Sequence, residues 1–168
     1  IAEIDSLQPD AAGAADTIFF GGGTPSRMSP GQAIRVLTAI RGRFDVSDDA
    51  EITLEGNPES LTAEALLGFR RAGITRISVG VQSLDNAVLR RVGRAHDAED
   101  AKRAVGLARE AGFPAVSLDL IAGLPGEDLA VWPDTLRKAV ALAPDHVSVY
   151  LLESDKDTPL GRSIRGGR

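Results

Sequence analysis

Short runs rich in β-branched and aromatic residues alternate with longer amphipathic stretches along almost the whole chain. That is the pattern of βα units on a parallel sheet. The runs fall at 17–20, 51–55, 76–81, 115–121 and 146–152, each flanked by glycine, proline or polar residues. Side chains on a strand alternate sides with period two, so each run divides into two sets. One set is Ile18, Phe20, Ile52, Leu54, Ile77, Val79, Val81, Val116, Leu118, Leu120, Val147, Val149 and Leu151, an apolar surface predicted to lie under helices. The other is Thr53, Glu55, Ser78, Gly80, Gln82, Ser117, Asp119, Ser148 and Tyr150.

The intervening segments carry legible helix caps. Ser29-Pro30-Gly31-Gln32 offers a hydroxyl at the N-cap, proline at the first helical position and glutamine at the third, with Ile34, Leu37 and Ile40 as the predicted buried stripe. Thr62 can cap a helix that buries Leu66 and Phe69 and stops at Ala72-Gly73. A short helix over 85–92 stops at Gly93, a longer one over 98–111 stops at Gly112, and a last one spans 129–143 before Pro144.

An antiparallel sheet with one wet face would alternate in the same way. Right-handed βαβ crossovers, however, put successive helices on one side when the sheet curls, so the pattern predicts an α/β barrel or part of one. An ordinary eight-fold barrel fills its interior with branched apolar residues, whereas this one would point carboxylates, amides and hydroxyls inward. Unpaired carboxylates in a closed core are costly, so the interior is expected to open to water and a polar ligand at the C-terminal strand ends. Satisfied structural polar pairs are the alternative.

Composition narrows the function. With 168 residues, 43% hydrophobic and 26% charged, the chain fits one globular domain. A net charge of -5 with both signs interspersed gives no electrostatic reason to expect nucleic acid or an anionic membrane surface as partner. The apolar stretches are too short to span a bilayer and there is no secretory signal pattern, so the expected location is cytoplasmic. The chain contains no cysteine, which excludes a disulfide scaffold, a thiolate zinc site, a cysteine nucleophile and an iron–sulfur cluster held by its own thiolates. It opens at Ile1 and closes on Gly166-Gly167-Arg168, and the expectation is a piece of a longer protein.

Candidate chemistry gathers after the strands. Phe20-Gly21-Gly22-Gly23-Thr24-Pro25 follows the first run, where glycines let backbone approach a ligand; it lacks the lysine of a Walker loop and the spacing of a dinucleotide fingerprint. Glu55-Gly56-Asn57-Pro58 and Gly80-Val81-Gln82-Ser83 put polar side chains at one rim, and Arg94 just beyond could clamp a carboxylate. Asp119 opens Asp-Leu-Ile-Ala-Gly-Leu-Pro-Gly and could accept ribose hydroxyls or tie down its own loop. His96 and His146 have no metal-ligand spacing with any partner and read as structural or exposed.

Gly-Gly-Gly-Thr-Pro-Ser, Glu-Gly-Asn-Pro-Glu, Ser-Val-Gly-Val-Gln-Ser-Leu-Asp, Val-Gly-Arg-Ala-His and Asp-Leu-Ile-Ala-Gly-Leu-Pro-Gly-Glu, in this order, resemble the radical S-adenosylmethionine (radical SAM) enzymes of the oxygen-independent coproporphyrinogen III oxidase type. Gly93-Arg94-Ala95-His96 and Thr158-Pro159-Leu160-Gly161 are most similar to the heme chaperone branch. The resemblance implies a partial (βα)6 TIM-like barrel over 1–168, with strands two to six on a parallel sheet. The first strand, and the Cys-x-x-x-Cys-x-x-Cys loop that holds a 4Fe-4S cluster in the family, would be missing, and the chain alone would be inactive. An open barrel of that kind exposes a sheet edge, so association or poor solubility is expected unless something covers it.

By the same resemblance Gly22, Gly23 and Thr24 meet the methionine end of S-adenosyl-L-methionine, Glu55 pairs with its ammonium and Arg94 with its carboxylate, and Gln82 and Asp119 take the ribose hydroxyls. Glu153 stands where the family contacts adenine and is larger than expected there. Implied partners are heme or a porphyrin, a reductant for the cluster and a heme-accepting protein. The alternatives are a true coproporphyrinogen oxidase, a radical methyltransferase acting on a porphyrin-like substrate, and a non-catalytic degenerate binding module.

Overall fold

The computed structural model describes residues 1–6, 14–153 and 161–162. Residues 158–160 of the Thr-Pro-Leu-Gly motif lie outside them, as do the closing glycines. Five strands, β1 (Ala15–Phe20), β2 (Val46–Gly56), β3 (Arg76–Gln82), β4 (Ala115–Ala122) and β5 (His146–Leu151), form one sheet whose spatial order follows chain order. Every neighbouring pair is parallel, and the sheet curls into a half-barrel. The helices are α1 (Ala2–Ser6), α2 (Pro30–Arg43), α3 (Ala63–Arg71), α4 (Asn86–Arg91), α5 (Ala98–Glu110) and α6 (Val131–Ala141), and the short 3-10 turns are Pro25–Arg27 and Pro58–Ser60. Among the described residues no helix is long and apolar enough to cross a membrane.

The helix boundaries follow from their caps. The Ser29 hydroxyl accepts from Gln32 N while the Gln32 side chain accepts from Ser29 N, so both halves of the capping box form. Gly73 (φ 99°) and Gly112 (φ 78°) end α3 and α5 in the left-handed conformation that glycine adopts without penalty. The backbone bonds Ile74 N to Phe69 O and Phe113 N to Ala108 O then close those ends. The last helix begins at Val131 rather than at 129, because the Asp128 carboxylate accepts from Ala130 N and Val131 N and starts the turn there.

The apolar face is sealed over the centre of the sheet. Ile52, Leu54, Ile77, Val79, Val81, Val116, Leu118 and Leu120 are essentially inaccessible to solvent, under Leu66 and Phe69 of α3, Ala101, Ala104 and Ala108 of α5, and Ala139 of α6. The alanines let α5 lie close to the strands. Each large aliphatic side chain buried here is worth about 1.5–3 kcal/mol, and this layer fixes where the strand ends fall.

The margins depart from the sequence pattern. Val149 and Leu151, predicted under helices, are 49% and 80% exposed, because β5 is the last strand and α6 covers the sheet only as far as Val147. In α2 the inward residues are Ala33 and Leu37, with Ile34 47% exposed and Ile40 half-buried, since this helix packs beside α1 and α3 and presents a narrow stripe. Strand β2 also starts earlier than its apolar run, at Val46, through a register irregularity against β1. Leu37→Ala should cost about 2–4 kcal/mol and Ile34→Ala less than about 1 kcal/mol in denaturant unfolding; equal costs would contradict this orientation of α2.

Candidate functional site

Part of the polar set, Glu55, Ser78, Gly80, Gln82, Asp119 and Tyr150, meets toward the C-terminal ends of β2, β3, β4 and β5, while Thr53 and Ser117 lie lower on their strands, with Ser117 beside His146. A cavity of about 230 Å³ at those C-terminal ends is lined by Glu55, Gly56, Ser78, Gly80, Gln82, Asp119, Ile121 and Tyr150. Strand register explains the gathering: Glu55 pairs with Ser78, Gly80 with Asp119, and Asp119 with Ser148, so residues far apart in sequence become lateral neighbours. Glu55, Gln82 and Asp119 are therefore brought together as the sequence predicts.

Each acidic group is half satisfied. Gly22 N donates to Glu55 Oε2 at 3.1 Å, which ties the glycine loop to the rim. Ser78 Oγ donates to Asp119 Oδ2 at 2.9 Å. The other oxygen of each carboxylate, and the Gln82 amide, have no protein partner among the described residues and face the cavity side of the sheet. Gly22 and Gly23 both have positive φ with open space around them, while Thr24 begins the 3-10 turn without using its side chain as a cap. None of Gly22, Gly23 and Thr24 lines the cavity; Gly22 reaches it only through its bond to Glu55.

Arg94 sits beside the cavity rather than in its lining. Its Nη2 donates to Asn57 Oδ1 at 2.7 Å and to the Gly80 carbonyl at 3.2 Å, linking the ends of β2 and β3. Its Nε is buried and has no hydrogen-bond partner. Burial pulls the guanidinium below its ordinary pKa, and the Glu59 carboxylate works in the opposite direction. A desolvated guanidinium with an unused donor has the chemistry to accept an anion. Asn57 stood in a turn read as part of the rim, but its function as the acceptor for Arg94 had no sequence signal of its own. Glu153 is exposed just past β5.

The two histidines behave as structural residues. His96 is buried with Nε2 3.0 Å from the Val81 carbonyl, and His146 Nδ1 lies 3.1 Å from Ser117 Oγ.

The donor set fits S-adenosylmethionine, a zwitterionic amino acid joined to a ribose: carboxylate oxygens remain for an ammonium and for hydroxyls, and the orphaned Arg94 Nε remains for a carboxylate. It does not fit an iron–sulfur cluster. The chain has no cysteine, and among the described residues no three His, Asp or Glu side chains converge on a metal-sized site.

A parallel half-barrel of βα units with polar groups at the C-terminal rim places the chain in the TIM-like barrel class. The radical SAM superfamily model matches residues 1–139, and the chain belongs to that family. It is 44% identical over 142 residues to the heme chaperone HemW of Haemophilus influenzae, covering 84% of this chain and 37% of the relative. It is 41% identical over 153 residues to the mitochondrial radical S-adenosyl methionine domain-containing protein 1 of Mus musculus, covering 90% of this chain and 34% of that one. Among solved structures, coproporphyrinogen III oxidase (HemN) from Escherichia coli, a radical SAM enzyme, superposes with a TM-score of 0.75 at 34% identity, over 83% of this chain and 32% of the oxidase. The chain thus spans about a third of the length of each of these proteins.

Gly80 has little room for a side chain: a methyl group there would meet Gln82 Nε2 at 3.0 Å and Asn57 Oδ1 at 3.1 Å. Gly80→Ala should push both side chains aside, weaken the Arg94–Asn57 bond and destabilise the fold by about 1–3 kcal/mol in thermal unfolding. An unchanged melting curve would show that this rim is not tightly packed.

Proposed function

We propose that this pocket binds S-adenosyl-L-methionine and that residues 1–168 form the major part of the radical SAM barrel of a heme chaperone in porphyrin and heme metabolism. The observation that carries the reading is the pairing of unused acceptors on Glu55 and Asp119 with an unused, buried donor on Arg94 around one cavity. Glu55, already fixed by Gly22 N, would take the ammonium through its other oxygen. Arg94 would take the carboxylate, and Gln82 and Asp119 the ribose hydroxyls. Gly22, Gly23 and Thr24, on the loop beside the cavity that Glu55 tethers, would meet the methionine end.

In the family, S-adenosylmethionine bound at a reduced 4Fe-4S cluster supplies radical chemistry. This chain's part is to bind, to orient and to keep water from the sulfonium end. With no thiolate of its own it cannot hold the cluster, and in the parent proposed here the cluster loop would lie outside residues 1–168. The chaperone assignment takes its support from the relatives and from the Gly93-Arg94-Ala95-His96 wording. The parent would bind heme and hand it to an acceptor protein, using a reductant for the cluster, and the cytoplasmic location expected from the sequence is part of the same proposal.

Calorimetric titration of S-adenosylmethionine into the gene-encoded protein tests the site. Arg94→Ala and Asp119→Ala should each weaken binding roughly tenfold or more, the scale of a charge-assisted hydrogen bond. Unchanged heats for Arg94→Ala would contradict its assignment. Incubation with heme and with coproporphyrinogen tests the branch: heme retention without turnover is expected, and steady oxidation of coproporphyrinogen would make the protein an oxidase instead.

A further inference from the structure

Gln82 combines a role in the pocket with an unusual backbone. Its φ is 65°, a region in which a non-glycine residue is strained, and Ser83 N donates to the Val81 carbonyl at 2.8 Å across it. The result is a three-residue turn of the rare positive-φ kind. Strand pairing shows the same irregularity: Gly80 pairs with Asp119 and Gln82 with Leu120, so Val81 is an extra residue on β3. Such a turn persists only where its surroundings hold it.

His96 lies against it. Its side chain is wholly buried, and Nε2 lies 3.0 Å from the same Val81 carbonyl. A carbonyl can only accept, so Nε2 carries the proton. On the other side of the ring Nδ1 lies 3.5 Å from Glu59 Oε2, in the Pro58–Ser60 turn that follows Asn57. The loop bearing His96 also carries Arg94 and is anchored at its far end by Ala98 N donating to Asn86 Oδ1 at 2.9 Å.

We infer that His96 is a positioning residue, whose Nε2–H bond to the Val81 carbonyl holds the strained turn that presents the Gln82 amide to the cofactor. This rests on the reading above, in which Gln82 contacts S-adenosylmethionine. A leucine could fill the same volume, but it would leave the turn with one bond fewer and a buried carbonyl lone pair empty.

A double-mutant cycle on the gene-encoded protein, read as the dissociation constant for S-adenosylmethionine with folding checked by thermal melts, separates this role from simple packing. His96→Leu should weaken binding roughly fivefold, and have no further effect once Gln82→Ala is present. His96→Gln, which keeps an amide donor, should restore affinity to within about twofold of wild type. The same fold loss from His96→Leu in both backgrounds would overturn the inference while leaving the cofactor site intact. No loss from Gln82→Ala alone would instead overturn the assignment of Gln82, and the inference with it. The 15N resonances of the His96 ring in the wild-type protein test the geometry without any variant. Protonation at Nε2 is expected, and a ring protonated at Nδ1 alone would refute the bond.

Discussion

A curled parallel sheet has two faces with opposite requirements. The convex face must be dry, because its aliphatic side chains supply most of the stabilisation, and the concave face must stay in contact with water, because it carries carboxylates and an amide whose desolvation would cost more than their mutual contacts return. Everything else in this chain follows from that division. The alanine-rich inner side of α5 and the Leu66 and Phe69 pair of α3 seal one face, and this fixes the register that sets Glu55, Ser78, Gly80 and Asp119 side by side on the other. The site is thus a by-product of core packing, built on strands rather than on loops, and its geometry is as rigid as the core beneath it.

On that platform the rim is organised by backbone carbonyls and amides as much as by side chains. Gly22 N is engaged by Glu55, the Gly80 carbonyl by Arg94 and the Val81 carbonyl by His96. Each bond ties a loop to a strand end, so the glycine loop, the Asn57 turn and the segment from Arg94 to His96 are held to one frame. Arg94 is the costly member: its guanidinium is drawn out of water, and one donor is left without an acceptor. A buried donor left in that condition costs the free protein stability.

Much of this was legible in the sequence, for identifiable reasons. Alternation along each run assigned Glu55, Gln82 and Asp119 to the polar face, and register then brought them together; the caps at Ser29, Thr62, Gly73 and Gly112 marked helix ends because each is a local interaction. Ile34, Val149 and Leu151 were misassigned because burial at a sheet margin depends on which neighbour is present, which periodicity does not encode. The position of Arg94 just past the rim suggests a carboxylate clamp, but only the structure shows that its guanidinium is buried, since nothing local distinguishes a buried arginine from a surface one. The links from Asn57 and His96 were illegible, because both act by holding another residue. Gly22, Gly23 and Thr24 rest on the family resemblance and lie outside the cavity lining, on the loop that Glu55 tethers through Gly22.

The central claim is that the C-terminal strand ends receive the ribose and amino-acid ends of S-adenosylmethionine. A crystal structure of the gene-encoded protein with S-adenosylmethionine bound tests it most directly. The account predicts the ribose hydroxyls between Gln82 and Asp119, the ammonium on Glu55 and the carboxylate on Arg94. A nucleoside seated away from these four side chains, or a carboxylate held without Arg94, would contradict it.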